Sequence, residues 1–445
     1  MSLEIYNTFS KKKEIFKPIN ENEVRMYVCG PTVNGVPHLG HARMQIVFDV
    51  FRKYLKFLNY KVKFVSNVTD IEDKIISKAK EEGISIEELT RKNLKEHMED
   101  YKAIGILEPD VQPKATEYVP EMIDLIKRLE EKGYTYIIPE DGVYYNVSKF
   151  PDYGKLSGID LTELRSSREL KDLTKGQEKR DSKDFVLWKF SKADEPSWDS
   201  PWGKGRPGWH IECSAMNHAI LGLPIDIHAG GQDLIFPHHE DEIAQAEAGY
   251  GEKFCNYWMH NGMVNIEKVK MSKSLGNFTT IKDLLKEYPG EVIRYFIISV
   301  HYRKPVDFSK EKLDEAKISY ERLKRLVLDL EDDKKINEKY LEEFKENMNE
   351  DLNTAGGLQI LWKIVRDDKA EGRVNTIKEI DKVFSLNLFQ RKEIELPIAV
   401  SELLDERKKV REEKNWALAD ELRDKIKELG FLVKDSKEGQ EVLKL

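Results

Sequence analysis

Residues 25 to 67 read as strand, loop, helix and strand, and this unit constrains the rest of the chain. Arg25-Met-Tyr-Val-Cys-Gly30 alternates like a strand. Ile46, Val47, Val50, Phe51, Tyr54, Leu55 and Leu58 then repeat with helical spacing, and Lys61-Val-Lys-Phe-Val-Ser-Asn67 alternates again. The length fits one parallel βαβ unit of a doubly wound sheet, in which ligands collect at the carboxyl ends of the strands.

The loop inside this unit runs Cys29-Gly-Pro-Thr-Val-Asn-Gly-Val-Pro-His38-Leu-Gly40-His41. It lacks the Gly-x-Gly-x-x-Gly fingerprint, so a dinucleotide is not indicated. At the start of a helix, His38 and His41 stand near unpaired N–H groups and a positive dipole end, where a polyphosphate is favoured. Gly40, with no Cβ, lets a flat group such as a nucleotide base lie against the backbone. His-x-Gly-His is expected about 0.01 times by chance at this composition. Two helix-start histidines without function are the plain alternative, and a second stretch outweighs it. Lys270-Met-Ser-Lys273-Ser274 is a small-residue loop with two ammonium groups. Such a loop can fold over a triphosphate and neutralise the charge on a departing pyrophosphate, where otherwise it is a solvated basic turn.

A chain of 445 residues holds more than one domain. No apolar run approaches 18 residues and the start lacks the basic and apolar regions of a signal peptide, so a cytosolic location and no membrane association are expected. Three cysteines argue against a disulfide framework and suit metal binding in a reducing compartment. The net charge of −8 gives no overall attraction for nucleic acid, so such a partner must be held by local basic patches and shape.

Along the chain, residues 68 to 105 read as helical with a break at Gly83. Turn-rich material followed by Trp188, Trp198, Trp202 and Trp209 then reads as an insertion, its tryptophans expected in a core. The α/β pattern resumes at Gly208-Trp-His-Ile-Glu-Cys213 and at Ile225-Asp-Ile-His-Ala-Gly-Gly231, a strand ending in a Gly-Gly turn; His238-His239-Glu-Asp-Glu242 starts a helix. The expected organisation is 1–110 and 206–260 as the two halves of the α/β domain, 111–205 as a connective insertion and 261–308 as the lysine-loop region. After these come 309–395 as a helical bundle and 396–445 as a small C-terminal domain of two helical segments and a short strand at 431–435. In the bundle Ser309 is an N-cap and Leu313, Ala316, Tyr320, Leu323, Val327 and Leu330 repeat by threes and fours. Eight of the ten histidines lie within 38–41 and 210–260, which places the chemistry in the α/β domain.

Cys29 ends the first strand, Cys213 lies where the fold resumes, and His238 and Glu242 are four apart on one helical face. If the two halves of the sheet adjoin, these groups converge on a zinc ion. His239, three from Glu242, competes with His238, and spacing alone leaves that open. A lone cysteine is more often a small buried hydrophobe, and Cys255 is assigned so.

The pair His38-Leu-Gly40-His41 and Lys270-Met-Ser-Lys273-Ser274 resembles the signatures of class I aminoacyl-tRNA synthetases, and the chain from its first strand onward resembles the cysteinyl-tRNA synthetase family. The resemblance is carried further by Tyr-Val-Cys-Gly-Pro-Thr-Val (27–33), Asn-Val-Thr-Asp-Ile-Glu-Asp-Lys (67–74), Gly-Arg-Pro-Gly-Trp-His-Ile-Glu-Cys-Ser (205–214) and Phe-Pro-His-His-Glu-Asp-Glu (236–242). It implies a Rossmann-like catalytic domain with an insertion, followed by a helical bundle and an anticodon-binding domain. It implies a ligase that activates L-cysteine with ATP, accompanied by magnesium, and passes it to tRNA-Cys, acting as a monomer. By the same resemblance Cys29, Cys213, His238 and Glu242 hold one zinc ion that takes the substrate thiolate, which favours His238 over His239. Thr69 and Trp209 line the amino-acid pocket, and His38, Gly40, His41, Gly231, Asp233 and Lys273 meet ATP, with Lys270 a partner of Lys273. Arg411, Trp416, Asp420 and Asp435 stand where the family reads the anticodon. Val442 departs from the tryptophan usual near the family's end, so weaker or differently built anticodon recognition is expected. Zinc suits the selection implied: serine differs from cysteine by one atom, and a bond to sulfur separates them where packing does not.

Two other readings compete. A ligase of the same fold that passes cysteine to an amino sugar shares the catalytic half, and the tail bearing Arg411, Trp416 and Asp435 speaks against it. An idle zinc-containing RNA-binding relative is opposed by the intact His38, His41 and Lys273.

Overall fold

The structure, a computed structural model, describes residues 2–159, 179–266, 269–270, 278–391, 397–436 and 439–444. The chain forms two compact units, Met1–Leu388 and Phe389–Leu445.

A short antiparallel hairpin, β1 (Glu4–Asn7) and β2 (Lys12–Ile15), opens the first unit and was not foreseen from the sequence pattern. The βαβ unit follows as β3 (Glu23–Val28), α1 (Leu39–Phe57) and β4 (Lys61–Ser66). Helices α2 (Asp73–Glu82) and α3 (Ile86–Ala103) come next, with Gly83 capping α2 in the left-handed conformation. Residues 111 to 115 run beside β4, where Ser66 and Val68 donate their N–H groups to the Val111 and Pro113 carbonyls at 3.2 and 2.8 Å. The chain leaves the parallel layer only at α4 (Val119–Glu131), a few residues later than the composition change suggests.

The insertion is an antiparallel sheet in the order β5 (Thr135–Ile138), β6 (Gly142–Tyr145), β7 (Phe185–Phe190), β8 (Gly205–Pro207). Trp188 is buried in the core it shares with α4, as a large apolar ring on a half-covered sheet must be. The chain re-enters the parallel layer through α5 (Ile211–Leu221), β9 (Ile225–Gly231), α6 (Glu240–Tyr250) and β10 (Cys255–Asn261).

The four parallel strands lie in the order β10-β9-β3-β4. Connections leave β3 toward β4 and β9 toward β10, so their directions diverge between β3 and β9. The register Met26↔Ile227, Tyr27↔His228, Val28↔Ala229 sets Cys29, next in line, beside the Gly230-Gly231 end of β9. The Cys29 N–H extends that ladder to the Ala229 carbonyl at 2.9 Å. This divergence is the crevice where open α/β sheets bind ligands.

Strands β11 (Val264–Ile266), β12 (Val269–Lys270) and β13 (Val306–Phe308) make a small sheet in the order β12-β11-β13, with α7 (Ile281–Glu287) and α8 (Gly290–Ile298) between β12 and β13 in sequence. A bundle of α9 (Lys310–Leu328), α10 (Glu338–Asn349), α11 (Thr354–Arg366) and α12 (Arg373–Phe384) follows. Leu313, Ala316, Tyr320, Leu323 and Val327 form the buried stripe of α9, and the Ser309 hydroxyl accepts from the Lys312 N–H as its N-cap. Buried charges join the bundle to α1: Asp49 of α1 accepts from Arg294 and, at 2.6 Å, from Lys53, while Lys53 donates to the Ser385 hydroxyl at 2.7 Å.

The second unit is a helix pair, α13 (Ile398–Glu412) and α14 (Trp416–Glu428), and a hairpin of β14 (Phe431–Ser436) and β15 (Gly439–Lys444). Val400, Ile426, Phe431 and Val433 form its core, with Val442 packed against them.

Candidate active site and metal centre

His38 is the N-cap of α1. Its Nδ1 accepts from the Gly40 N–H at 3.1 Å, and the His41 Nδ1 accepts from the His38 N–H at 3.2 Å. The rings stack with centroids 3.8 Å apart. Because each Nδ1 is an acceptor, a neutral ring carries its proton on Nε2, and that edge is a donor. Both histidines therefore present an N–H where the helix dipole already favours an anion. Gly230-Gly231 stand across the crevice, with Asp233 exposed in the turn that follows.

The segment that follows the lysine stretch joins this site. Lys270 closes β12, and beyond the loop the Leu39 N–H donates to the Thr279 carbonyl at 3.1 Å and the Ile281 N–H to the Pro37 carbonyl at 3.2 Å. The Phe278 ring stands edge-on to His38, centroids 5.8 Å apart. Lys273 and Ser274, and the side chain of Lys270, lie outside the described residues.

Beside the histidine loop, Cys29, Cys213, His238 and Glu242 are all buried and bring one donor atom each within 4.8 Å of one another. The two Sγ atoms are 3.8 Å apart, Cys29 Sγ lies 3.6 Å from Glu242 Oε1, and His238 Nε2 lies 2.8 Å from that same oxygen. Cys213 sits in the first turn of α5, and His238 in the irregular turn preceding α6. A second set shares two of these members: Cys29, His228, His239 and Glu242. His239 Nε2 is 3.2 Å and His228 Nε2 3.4 Å from Cys29 Sγ. The sequence weighed His239 but missed His228, which sits mid-strand with Nδ1 3.3 Å from Asn217; the histidine density of residues 210–260 was its only signal.

The donors fit a borderline-soft dication. Without one they share protons unequally. Burial and the neighbouring Cys213 push the Cys29 thiol up. Burial also raises Cys213, but hydrogen bonds from Cys29 and His238 bring it down to about 6. Burial lowers His238, yet Glu242 and Cys213 lift it to about 10, and Glu242, raised by burial, is carried well below the carboxylate range by His228 and His238. Two thiols this close cannot ionise together at low cost unless a cation stands between them.

Of the remaining amino-acid-pocket candidates, Trp209 touches this cluster and Thr69 reaches Glu212, the residue before Cys213. Thr69 is buried, its hydroxyl donating to Glu212 Oε2 at 2.6 Å and its N–H to the Pro31 carbonyl at 3.1 Å. Trp209 stays 37% exposed and stacks on His238 with centroids 4.3 Å apart. Gly30 is required where β3 meets the turn after β4: a Cβ there would stand 1.6 Å from the Asn67 carbonyl oxygen.

In the second unit, the Arg411 guanidinium lies 5.5 Å over the Trp416 ring, which is 56% exposed. Asp435 accepts two bonds from the buried Arg407, at 2.8 and 2.9 Å, and one from Arg411 at 2.6 Å, while Asp420 pairs with Arg423 at 3.2 Å. The fork from Arg407 first, and both arginine charges, hold the Asp435 carboxyl below its ordinary value.

Residues 15–318 match the family model of the class I (C) tRNA synthetase catalytic domain. The chain belongs to this family. Residues 394–442 match the cysteinyl-tRNA ligase anticodon-binding domain, and the two together make the enzyme a cysteine–tRNA ligase, with an amino acid, ATP and tRNA as its substrates. Two solved structures of methionyl-tRNA synthetase from Mycobacterium tuberculosis, both with methionyl-adenylate, share the fold of the ligase. Each has a TM-score of 0.58; identity is 15% and 14%, over 82% and 83% of this chain and 90% of theirs. Among the described residues no helix is long and apolar enough to cross a membrane.

Proposed function

We propose that the ligase activates L-cysteine with ATP and passes it to the terminal ribose of tRNA-Cys, using one crevice for both steps. The observation that carries this is the placement of two thiols, an imidazole and a carboxylate directly beside the His38 loop. A zinc ion held by Cys29, Cys213, His238 and Glu242 would supply a bond to the substrate's sulfur that the hydroxyl of serine cannot match. Thr69 and Trp209 border the same space and position the amino acid.

In the first step the cysteine carboxylate attacks the α-phosphorus of ATP and the bond to pyrophosphate breaks. His38 and His41 donate from Nε2 to the phosphates, Gly40 and Gly231 admit the nucleoside, and Asp233 reaches it from the turn. Lys273, with Lys270, offsets charge on the departing pyrophosphate, and magnesium travels with ATP. In the second step the ribose hydroxyl attacks the carbonyl carbon and AMP leaves. The work is positioning and charge stabilisation, with no covalent link to the protein. Arg411 and Trp416 offer an unpaired anticodon base a guanidinium edge and a stacking face, with Asp420 beside them and Asp435 bracing Arg411. The ligase acts as a cytosolic monomer.

The test is cysteine-dependent exchange of pyrophosphate into ATP by zinc-loaded protein, which should run with cysteine and not with serine. No exchange with either would overturn the proposal. Chelation should abolish cysteine binding while circular dichroism keeps its helical signal; global unfolding would instead make the metal structural.

A further inference from the structure

Glu212 lies in the first turn of α5, next to Cys213, and neither the metal set nor the histidine loop uses its carboxylate. The residue is fully buried. Oε2 accepts from the Thr69 hydroxyl at 2.6 Å, and among the described residues Oε1 has no hydrogen-bond partner. No N–H of its own helix meets that oxygen, so the first-turn position does not account for it. Asp70, the neighbour of Thr69, shows the ordinary arrangement. Thr116 gives its N–H to one carboxylate oxygen at 3.0 Å and its hydroxyl to the other at 2.6 Å. A buried carboxylate with an oxygen unmet is costly until a cation or a donor reaches it. The metal centre does not supply that charge, because Cys29, Cys213 and Glu242 as anions already outnumber the charge of a zinc dication.

Thr69 indicates which kind of group is missing. Its hydroxyl has one proton and gives it to Glu212, so toward any further partner the oxygen can only accept. Its N–H is committed to the Pro31 carbonyl at 3.1 Å. A ligand group at this place must therefore be a donor, and beside a buried carboxylate it must be positive.

We propose that Glu212 is the counter-ion of the substrate's α-ammonium and that, through Thr69, it positions the acceptor that receives the same group. The proposal rests on the aminoacylation reading. Three bonds separate sulfur from nitrogen in cysteine, so a substrate whose sulfur meets the metal brings its ammonium within a few ångströms of Cys213, the neighbour of Glu212. An ammonium has three donors, enough for Oε1 and the Thr69 oxygen together. With that end fixed, the substrate carboxylate is repelled by Glu212 and turns toward the His38 loop, where it attacks. One buried charge thus sorts the two ends of the amino acid.

Three thiols test this on zinc-loaded protein. Cysteamine keeps the ammonium of cysteine and lacks the carboxylate, whereas 3-mercaptopropionate keeps the carboxylate and lacks the ammonium. Binding of each is measured by titration calorimetry and compared between variant and wild type, so differences in thiol acidity cancel. Glu212→Gln should weaken cysteine and cysteamine by about 30-fold or more, the lower end for removing one partner of a buried charge pair. 3-Mercaptopropionate should weaken by no more than about twofold. Zinc content and circular dichroism of the variant should match wild type. If they do not, Thr69→Val decides: it is close in shape and lacks the hydroxyl. It should lose about tenfold on cysteine and cysteamine, the lower range for a hydrogen bond to a charged group, and leave 3-mercaptopropionate unchanged. Equal loss on all three thiols in the deciding variant, or loss on none, overturns the proposal. So does wild-type protein that binds 3-mercaptopropionate as tightly as cysteine. Wild-type protein without cysteine-dependent exchange would fail the aminoacylation reading instead, and the comparison of cysteamine with 3-mercaptopropionate would still decide this one.

Discussion

The Cys29 cluster and the cluster around the buried Arg407 are both polar constellations, yet they are built oppositely. In the first unit, Cys29, Cys213, His238 and Glu242 come from distant elements and remain in electrostatic conflict, one thiol pushed up and the other down. In the second, Arg407 is satisfied on every side by Asp435, Gln440 and the Ala419 carbonyl. A cluster in conflict awaits a ligand, whereas a satisfied one holds a fold. Asp435, which the resemblance sets among the anticodon readers, therefore acts first as a brace for Arg407 and Arg411, and Trp416 is the group left facing solvent.

Substitutions can break this contrast. Cys29→Ser should have the largest effect, lowering metal affinity by more than about 100-fold, the upper range for losing even an outer-shell partner, and ending cysteine-dependent exchange. Metal content after dialysis and the exchange rate measure it; retained metal would shift the centre to other ligands. Asp435→Ala should destabilise the second unit by about 1–3 kcal/mol, because it leaves N–H groups of the buried Arg407 without their acceptor, which protonation of the carboxylate does not, and hydrogen exchange in 397–436 of the full chain should rise while the catalytic unit is unchanged. Trp416→Ala should leave that exchange as it is and weaken tRNA binding by about 1–3 kcal/mol, the cost of one lost base stack. Equal loss of stability in Trp416→Ala would erase the distinction.

The smallest effect is on pH. The folded pKa of Asp435 lies below its unfolded value, so its contribution is present above about pH 4 and is lost as pH falls through the folded pKa. Partial exposure keeps it under about 1 kcal/mol. Local exchange measured between pH 6 and 3 should accelerate in wild-type protein, and Asp435→Asn should flatten that dependence.

The regular layers were legible in the sequence because burial writes itself as periodicity. The strand–helix–strand of residues 23–66 falls where the spacing sets it, as does the apolar stripe of α9 from Leu313 to Val327, whereas Leu330, the last of that repeat, lies beyond the helix end at Leu328. The hairpin β1–β2 and the strand β15 were not legible, since strands of four to six residues are too short for their alternation to stand out from loops. Arg407 looks like any solvated cation on a helix until tertiary packing encloses it. His228 is equally silent, for its place beside Cys29 depends on which strands neighbour each other, and that order is a property of the sheet. The pairing of His38 with His41 was visible as motif, but its consequence, both rings turned to donate from Nε2, required the cap geometry.

The distances along the chain within the metal cluster carry one more consequence, for biosynthesis. Cys29 and Glu242 meet across 213 residues, and neither Cys213 nor His238 is available any earlier than the second half of the parallel sheet. A ribosome-bound chain that has released only β3, α1 and β4 offers a passing ion a single thiol. A metal held by all four would therefore load late in maturation, after β9 has docked against β3, and its occupancy would report that the two halves of the sheet have found each other.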